Sequence, residues 1–183
     1  MSAVHNMTIA GLARSLPLCP LSDQLSIAAF VIFGDVELTI AAARDLIAAV
    51  PEFDFIVTPE AKSIPLAYEM ARQTGKKYFV ARKKAKLYMQ SVVSVHVRSI
   101  TTDGVQTLML DGAEGEQLRG KRVLIVDDVI STGESLAAVE ALVAKFDGNV
   151  VAKAAILAEG DAIERTDITY LGTIPIFQNV HAP

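Results

Sequence analysis

The sequence has almost no cysteine and no tryptophan. One cysteine in 183 residues, Cys19, excludes an internal disulfide. No group of cysteine and histidine residues has the spacing of zinc ligands. This composition favours a protein of a reducing compartment, and we expect a cytoplasmic location.

The chain also lacks an excess of positive charge and long hydrophobic runs. Its 21 acidic and 17 basic residues give a formal charge of −4, which argues against a general nucleic-acid-binding protein and against a polybasic membrane-binding protein. No apolar run reaches the roughly 20 residues of a membrane span, and the N-terminus has no signal-peptide pattern. We therefore expect neither nucleic acid nor membrane as a partner. With 51% apolar residues, the chain is sufficient for one domain with a substantial core.

Strand-like and helix-like segments alternate along the chain. Apolar spacing predicts helices over 35–50, 64–74 and 133–146, and strands over 53–58, 77–81, 122–128 and 149–158. Repeated strand–helix–strand units predict an α/β fold with a central parallel sheet flanked by helices. Residues 89–99 and 105–111 predict a β-hairpin that turns at Asp103-Gly104 and projects from the sheet.

The stretch "RVLIVDDVISTGESL" (122–136) combines an apolar strand with Asp127 and Asp128 where we expect the strand to end. Ligands of open parallel sheets bind beyond the carboxyl ends of the strands. The Ser-Thr-Gly turn after the acids offers hydroxyls, backbone N–H groups and a close approach for an anion. Carboxylates accept hydrogen bonds from sugar hydroxyls and hold divalent cations through water. Together these residues predict a phosphorylated-sugar site.

A strand that ends in aspartate is also found in receiver-type phosphorylation sites and in nucleotide hydrolases. A hydrolase needs a phosphate loop of the type G-x-x-x-x-G-K-[ST], and "GEQLRGKR" (115–122) approaches that pattern. Arg122 stands where the hydroxyl residue is required, and the segment precedes a strand instead of following one. We therefore interpret Gly120-Lys121 as a turn.

"VLIVDDVISTGES" resembles the 5-phosphoribosyl pyrophosphate (PRPP) signature of the type I phosphoribosyltransferases. "VTPEAKSIPLAYEMA" (57–71) is similar to the pyrophosphate loop of that family, and "FVARKKAKL" (79–87) resembles the strand and basic loop of its adenine and xanthine enzymes. "SIPLAYEMA" and "VQTLML" are also similar to the effector domain of a bacterial purine repressor, which binds PRPP without turnover. The resemblance implies a small N-terminal hood (1–34), a core (35–160) with a flexible β-hairpin loop, and a C-terminal extension (161–183) of one domain.

The resemblance assigns roles to individual residues. Asp127 and Asp128 would be the catalytic pair that contacts the ribose of PRPP and organises Mg²⁺ through water. The rest of the ribose and 5-phosphate loop would be Val129, Ile130, Ser131, Thr132, Gly133, Glu134 and Ser135. Pyrophosphate would contact Ala61, Lys62, Ser63, Arg82, Lys83 and Lys86. The base would lie against Ile32 and Phe33.

The implied activity is transfer of the phosphoribosyl group from PRPP to a purine, with adenine the expected base, by a homodimer. The chain departs from the family pattern in the hairpin loop, where "SVHVRS" replaces a segment with a glutamate and no acid follows until Asp103. His96 and Arg98 are the substitutes at hand, and the proton acceptor stays unassigned. A PRPP- or nucleotide-sensing domain without turnover is the alternative that this departure leaves open.

Overall fold

The computed structural model describes residues 3–98 and 105–178. For four of these residues, 97, 98, 105 and 106, it describes only the backbone. The elements in chain order are β1 (Val4–Ile9), β2 (Leu12–Ser22), β3 (Leu25–Ala28), α1 (Val36–Ala49), β4 (Phe55–Pro59), α2 (Ile64–Thr74), β5 (Lys77–Ala81), β6 (Val93–Arg98), β7 (Val105–Leu110), α3 (Gly112–Glu116), β8 (Arg122–Ile130), α4 (Glu134–Ala144), β9 (Asn149–Glu159), a 3₁₀ turn (Gly160–Glu164), β10 (Thr169–Ile174) and β11 (Phe177–Gln178). Among the described helices, none has the length and apolar character that crossing a membrane requires.

A five-stranded parallel sheet forms the centre, in the order β10-β9-β8-β4-β5. The predicted α/β class is confirmed, and the predicted helices and strands of the core lie within about two residues of their expected bounds. One bound matters for the site: β8 was expected to end at Asp128, and this was wrong. The strand continues because Val129 and Ile130 pair with Leu157 and Ala158 of β9.

The two faces of the sheet carry separate apolar cores. Successive side chains of a strand point to opposite faces, so Leu124 and Val126 of β8 pack under α1 and α2, whereas Val123 and Ile125 pack under α4. All four of these side chains are buried. Both faces of β8 are therefore covered by helices, which explains its nearly continuous apolar sequence.

The N-terminal hood is a second sheet, with the order β1-β2-β3-β11 and antiparallel pairing. Its strands were not predicted from sequence, although Ala10-Gly11, both with positive φ, forms the two-residue turn between β1 and β2. Arg14 of β2 donates to the carboxylate of Asp35 at 2.6 and 3.0 Å, and Asp35 caps the N-terminus of α1. The hood is thereby attached to the core. The domain bounds at residues 34 and 160 stay a prediction.

The predicted hairpin is formed by β6 and β7, but its described part does not project from the sheet. Val95, Leu108 and Leu110 are buried against α4. Arg82 and Met109 exchange two backbone hydrogen bonds, which attaches β7 to the residue that follows β5. The expectation of a projecting hairpin was wrong for these residues because one face of the hairpin is apolar. The turn at Asp103-Gly104 lies outside the described residues.

Candidate functional site

The parallel orientation of the strands brings four loops to one edge of the central sheet. These loops are residues 60–63 after β4, 82–88 after β5, 131–135 after β8 and 160–164 after β9. The first three were predicted to carry the site. Segment 115–121, the weak phosphate-loop match, instead precedes β8, where Arg122 is paired with Asp54 at 2.8 Å. That segment is therefore at the opposite edge.

Asp128 and Lys62 form an ion pair at the centre of this edge. The carboxylate of Asp128 is buried, and its Oδ2 lies 2.7 Å from Nζ of Lys62, whose side chain is half exposed. Apart from this ion pair, Oδ2 accepts no hydrogen bond within the described part of the chain. A buried carboxylate oxygen in this state has capacity for a further donor or cation. The structure thus joins two residues that were predicted for different parts of one ligand.

Asp127 is adjacent and only partly accessible. Its Oδ1 accepts a hydrogen bond of 2.8 Å from the backbone N–H of Asp128. Burial, and after it the charge of Asp128, raise the pKa of Asp127 to about 7, against the opposite effect of hydrogen bonds from the Asp128 backbone and from Ser63. Carboxyl groups whose pKa is raised by burial and by a neighbouring charge are concentrated at functional sites.

The side chain of Ser63 holds the loop after β4 in place through hydrogen bonds. The hydroxyl is buried and donates to the carbonyl oxygen of Pro59 at 3.0 Å. Oγ1 of Thr58 lies 2.7 Å from Oγ of Ser63 and 2.8 Å from the carbonyl oxygen of Val126, so this small network joins β4, the loop and β8. Ala61 and Lys62 are the exposed residues of the loop. Of the three predicted pyrophosphate contacts here, these two are accessible to a ligand through their side chains.

Arg82, in the loop after β5, is engaged by two side-chain partners. Its guanidinium donates to Glu60 at 3.1 Å and to the hydroxyl of Tyr88 at 2.7 Å. The other oxygen of Glu60 accepts from the backbone N–H of Lys83 at 3.0 Å. This hydrogen bond, followed by the contact with Arg82, holds the pKa of Glu60 below its usual range. Glu60 therefore connects the loop after β4 to the basic loop, in which Lys83 and Lys86 are exposed.

The loop after β8 has the features of an anion site. Ser131 and Thr132 are exposed, and Gly133 has a φ of 78°, just before α4 begins at Glu134. A Cβ at Gly133 would overlap Nη1 of Arg165. Sequence reasoning missed Arg165, because only the fold brings residue 165 to this turn.

Arg165 is oriented by a carboxylate beside it. Asp167 accepts two hydrogen bonds from its guanidinium, at 2.9 and 2.7 Å. Val129 and Ile130 were predicted for the same loop. The side chain of Ile130 is buried in the core below α4 and supports the loop from beneath. Val129 instead lines a cavity. The backbone of the loop and the Arg165 guanidinium are thus two donor groups beside Gly133.

A cavity of about 340 Å³, which we call the hood cavity, lies between the hood and the edge of the sheet. Its wall is mainly apolar, with two charged side chains, those of Lys62 and Glu159. The lining residues are Ile27, Ala28, Ala29, Phe30, Val31, Lys62, Val129, Ser131, Glu159 and Ile174. Mostly apolar cavities with a few polar groups are typical of small-molecule sites.

The predicted base contacts, Ile32 and Phe33, do not line the hood cavity. Ile32 is fully buried in the core beneath α1 and α2, and Phe33 is 54% exposed; neither is among the residues that line the hood cavity. The segment just before them, residues 27–31, lines it instead. Glu159 was missed by sequence reasoning because it ends a strand with no recognisable motif. Burial raises the pKa of its carboxyl, and the charge of Lys62 acts in the opposite direction.

The carboxylates at this edge can be compared with the Mg²⁺ site that the sequence leads us to expect. In the described ranges, no group of three or more His, Cys, Asp or Glu side chains is placed to hold a metal ion. Asp127 and Asp128 provide two carboxylates, one with an oxygen that accepts no hydrogen bond. This pair fits Mg²⁺, which commonly binds one or two protein carboxylates and completes its shell with water and substrate phosphates.

Of the two substitutes for the absent loop glutamate, the structure describes the side chain of His96. His96 is exposed, and its Nδ1 lies 2.9 Å from Oγ1 of Thr107, the residue directly opposite on β7. The side chain of Arg98 and residue Asp103 lie outside the described residues. The structure therefore shows His96 as part of a cross-strand pair on the solvent face of the hairpin.

The chain is similar to a protein family, to individual proteins of known sequence and to solved structures. Residues 35–182 match the phosphoribosyl transferase domain family. The chain is 37% identical over 103 residues to adenine phosphoribosyltransferase of Thermotoga petrophila, covering 56% of this chain and 58% of the relative. It is 37% identical over 108 residues to hypoxanthine/guanine phosphoribosyltransferase of Methanococcus voltae, covering 59% and 54%.

A regulatory protein and a solved structure are also similar. The purine biosynthesis transcriptional repressor of Bacillus subtilis is 31% identical over 113 residues, covering 62% of this chain and 39% of the repressor. The crystal structure of adenine phosphoribosyltransferase from Thermoanaerobacter pseudethanolicus superposes with a TM-score of 0.66 at 24% identity, covering 78% of this chain and 84% of the other. The structural likeness supports the fold, and the chain spans somewhat over half the length of the curated transferases it matches.

Proposed function

Because the chain belongs to the phosphoribosyl transferase domain family, we propose that it transfers the 5-phosphoribosyl group from PRPP to a purine base, with adenine as the base, in purine salvage. The products would be a nucleoside monophosphate and pyrophosphate. The observation that carries the proposal is the buried Asp128 paired with Lys62, next to the loop 131–135, at the carboxyl edge of a parallel sheet.

In this proposal, Asp127 and Asp128 bind the ribose hydroxyls and hold Mg²⁺ through water. When bound, Mg²⁺ would supply positive charge to the phosphate oxygens of PRPP. Lys62 keeps Asp128 compensated in the absence of ligand, since a buried carboxylate without a cation is unfavourable. The same lysine, with its half-exposed side chain, is placed to neutralise pyrophosphate as that group departs.

The proposed phosphate sites are on either side of this pair. The exposed turn Ser131–Thr132 and the backbone of Gly133 would hold the 5-phosphate at the N-terminus of α4. Ala61 and the exposed Lys83 and Lys86 would line the path of the leaving pyrophosphate. Arg82 would contribute by holding the basic loop in place through Glu60.

The proposal further includes a homodimer in the cytoplasm that requires neither nucleic acid nor membrane. It is supported by the resemblance of the basic loop and the pyrophosphate loop to adenine phosphoribosyltransferases, and by the apolar residues exposed on α1 and α2.

The direct test is pyrophosphate release by purified protein with Mg²⁺, PRPP and, in turn, adenine, hypoxanthine, guanine and xanthine. We expect turnover of at least one base. Asp128→Asn should lower kcat/KM for PRPP by roughly 10- to 100-fold, since it removes a charged partner of sugar and cation without changing the size of the side chain. Asp23→Asn, in the exposed turn between β2 and β3, is the matched control and should leave kcat/KM unchanged.

Release of pyrophosphate with none of the four bases would overturn the enzyme proposal. Equal kinetics for Asp128→Asn and Asp23→Asn would show that the site lies elsewhere.

A further inference from the structure

The carboxylate of Glu159 has no hydrogen-bond donor in the described structure, although it is partly buried. It ends β9, the neighbour of β8, and lines the hood cavity opposite the hood segment 27–31. Lys62 lines the same cavity, and its positive charge acts on the Glu159 carboxylate. A carboxylate that is drawn partly out of bulk water without a protein donor loses hydration that a donor from a ligand would replace.

The other polar side chains of the cavity already have a partner or a proposed role. Lys62 is paired with Asp128 at 2.7 Å. Ser131 belongs to the proposed 5-phosphate loop, and the hood side of the cavity consists of apolar side chains between Ile27 and Val31. Glu159 is therefore the side-chain acceptor available to a ligand in this cavity.

We propose that Glu159 reads the acceptor base in the hood cavity, where its carboxylate accepts a hydrogen bond from the exocyclic amine of a 6-aminopurine. This inference rests on the proposed transferase function and names the class of base that the same site accepts. It locates base recognition at the end of β9, not at Ile32 and Phe33.

The chemistry of the purine edge decides the preference. A 6-aminopurine presents two N–H donors at C6, and either satisfies a carboxylate oxygen. A 6-oxopurine presents an acceptor at the same position, so the carboxylate and the exocyclic oxygen at C6 would face each other without a proton between them. Sites with a fixed hydrogen-bonding group discriminate strongly against a ligand that leaves the group unpaired.

The test compares kcat/KM for adenine with kcat/KM for hypoxanthine in wild type and in Glu159→Gln. We expect wild type to prefer adenine. The amide of glutamine both accepts and donates, so the ratio should fall by roughly 10- to 100-fold while KM for PRPP stays unchanged. Glu164→Gln changes an exposed glutamate in the 3₁₀ turn that follows Glu159 and should leave the ratio as in wild type.

A second measurement does not depend on turnover or on the folding of a variant. Calorimetric titration of wild type with AMP and with IMP should show tighter binding of AMP by a similar factor.

Glu159→Asp, which keeps the charge, should retain the preference for adenine with a higher KM for the base.

An unchanged adenine-to-hypoxanthine ratio in folded Glu159→Gln would overturn the inference and leave the transferase proposal intact. Equal binding of AMP and IMP, or a wild-type preference for 6-oxopurines, would do the same. Failure of the transferase proposal has a different signature: no pyrophosphate is released with any base, whatever the affinities for AMP and IMP.

Discussion

Gly133 illustrates how much one residue contributes to the candidate phosphate site. Its φ of 78° lies in the left-handed region, where a Cβ costs roughly 1–2 kcal/mol. In addition, the space that a Cβ would occupy is filled by Nη1 of Arg165, which Asp167 holds in place. Glycine is thus required here by the backbone, and a Cβ would in addition displace the end of the Arg165 side chain from its place beside Asp167.

We expect Gly133→Ala to destabilise the fold more than Gly11→Ala. Gly11 has a φ of 80° but open space at its Cβ position, so it isolates the backbone cost of about 1 kcal/mol in the free energy of unfolding. Urea denaturation measures both variants. In an Arg165→Ala background the excess loss of Gly133→Ala should disappear.

Equal losses for the two glycine variants in the wild-type background would contradict the contact with Arg165.

At the scale of the element, the hairpin β6–β7 is a packed part of the core over its described residues. Leu108 and Leu110 are fully buried against α4, and the backbone pair between Arg82 and Met109 joins the hairpin to the end of β5. The base of the hairpin therefore adjoins the basic loop. A hairpin that projected into solvent would leave these leucines exposed.

We expect Leu108→Ala to lower the free energy of unfolding by about 2–5 kcal/mol, because it removes buried methyl groups and leaves a cavity. Leu87→Ala, a change of the same type at a fully exposed position of the basic loop, should stay within about 0.5 kcal/mol. Thermal or urea unfolding measures both. A small effect of Leu108→Ala would mean that the hairpin is not docked on α4 in solution.

At the scale of the whole molecule, apolar side chains remain exposed on one side of the core. Val36 and Ile40 of α1 and Tyr68 of α2 line a depression of about 440 Å³ between the two helices, and Phe33 is exposed just before α1. Grouped apolar side chains on a surface are typical of an interface. They support the homodimer that we propose from the family resemblance, with a second copy of this chain on the α1–α2 face.

Sedimentation velocity should therefore show a dimer, and Val36→Asp should shift it toward monomer by placing a charge in the interface. Aspartate in the first turn of a helix is favourable to the helix itself, so the fold should persist. Leu21→Asp, at an exposed apolar residue of β2 in the hood, is the control and should leave the dimer unchanged. A wild-type monomer at all concentrations would exclude the dimer.

The periodicity of apolar residues was enough to predict the helices and strands of the core, because burial on two faces of a parallel sheet imposes that pattern locally. It was not enough for the hood, because strands β1 and β2 bury only Ile9 and Leu16, and their other side chains are half-buried or exposed. It also placed the end of β8 at Asp128, since the pairing of Val129 with Leu157 depends on a strand 28 residues farther along the chain.

The sequence by itself determined the α/β class and the acid-plus-turn stretch from Asp127 to Ser135, because both are local patterns in contiguous residues. Only the tertiary structure decided that Lys62 pairs with Asp128, that Arg165 adjoins Gly133, and that Glu159 lines the hood cavity while Ile32 is buried in the core. The physical reason is that these contacts arise where separate strands end at one edge of the sheet. Residues far apart in the chain meet there, and no spacing in the sequence records their meeting.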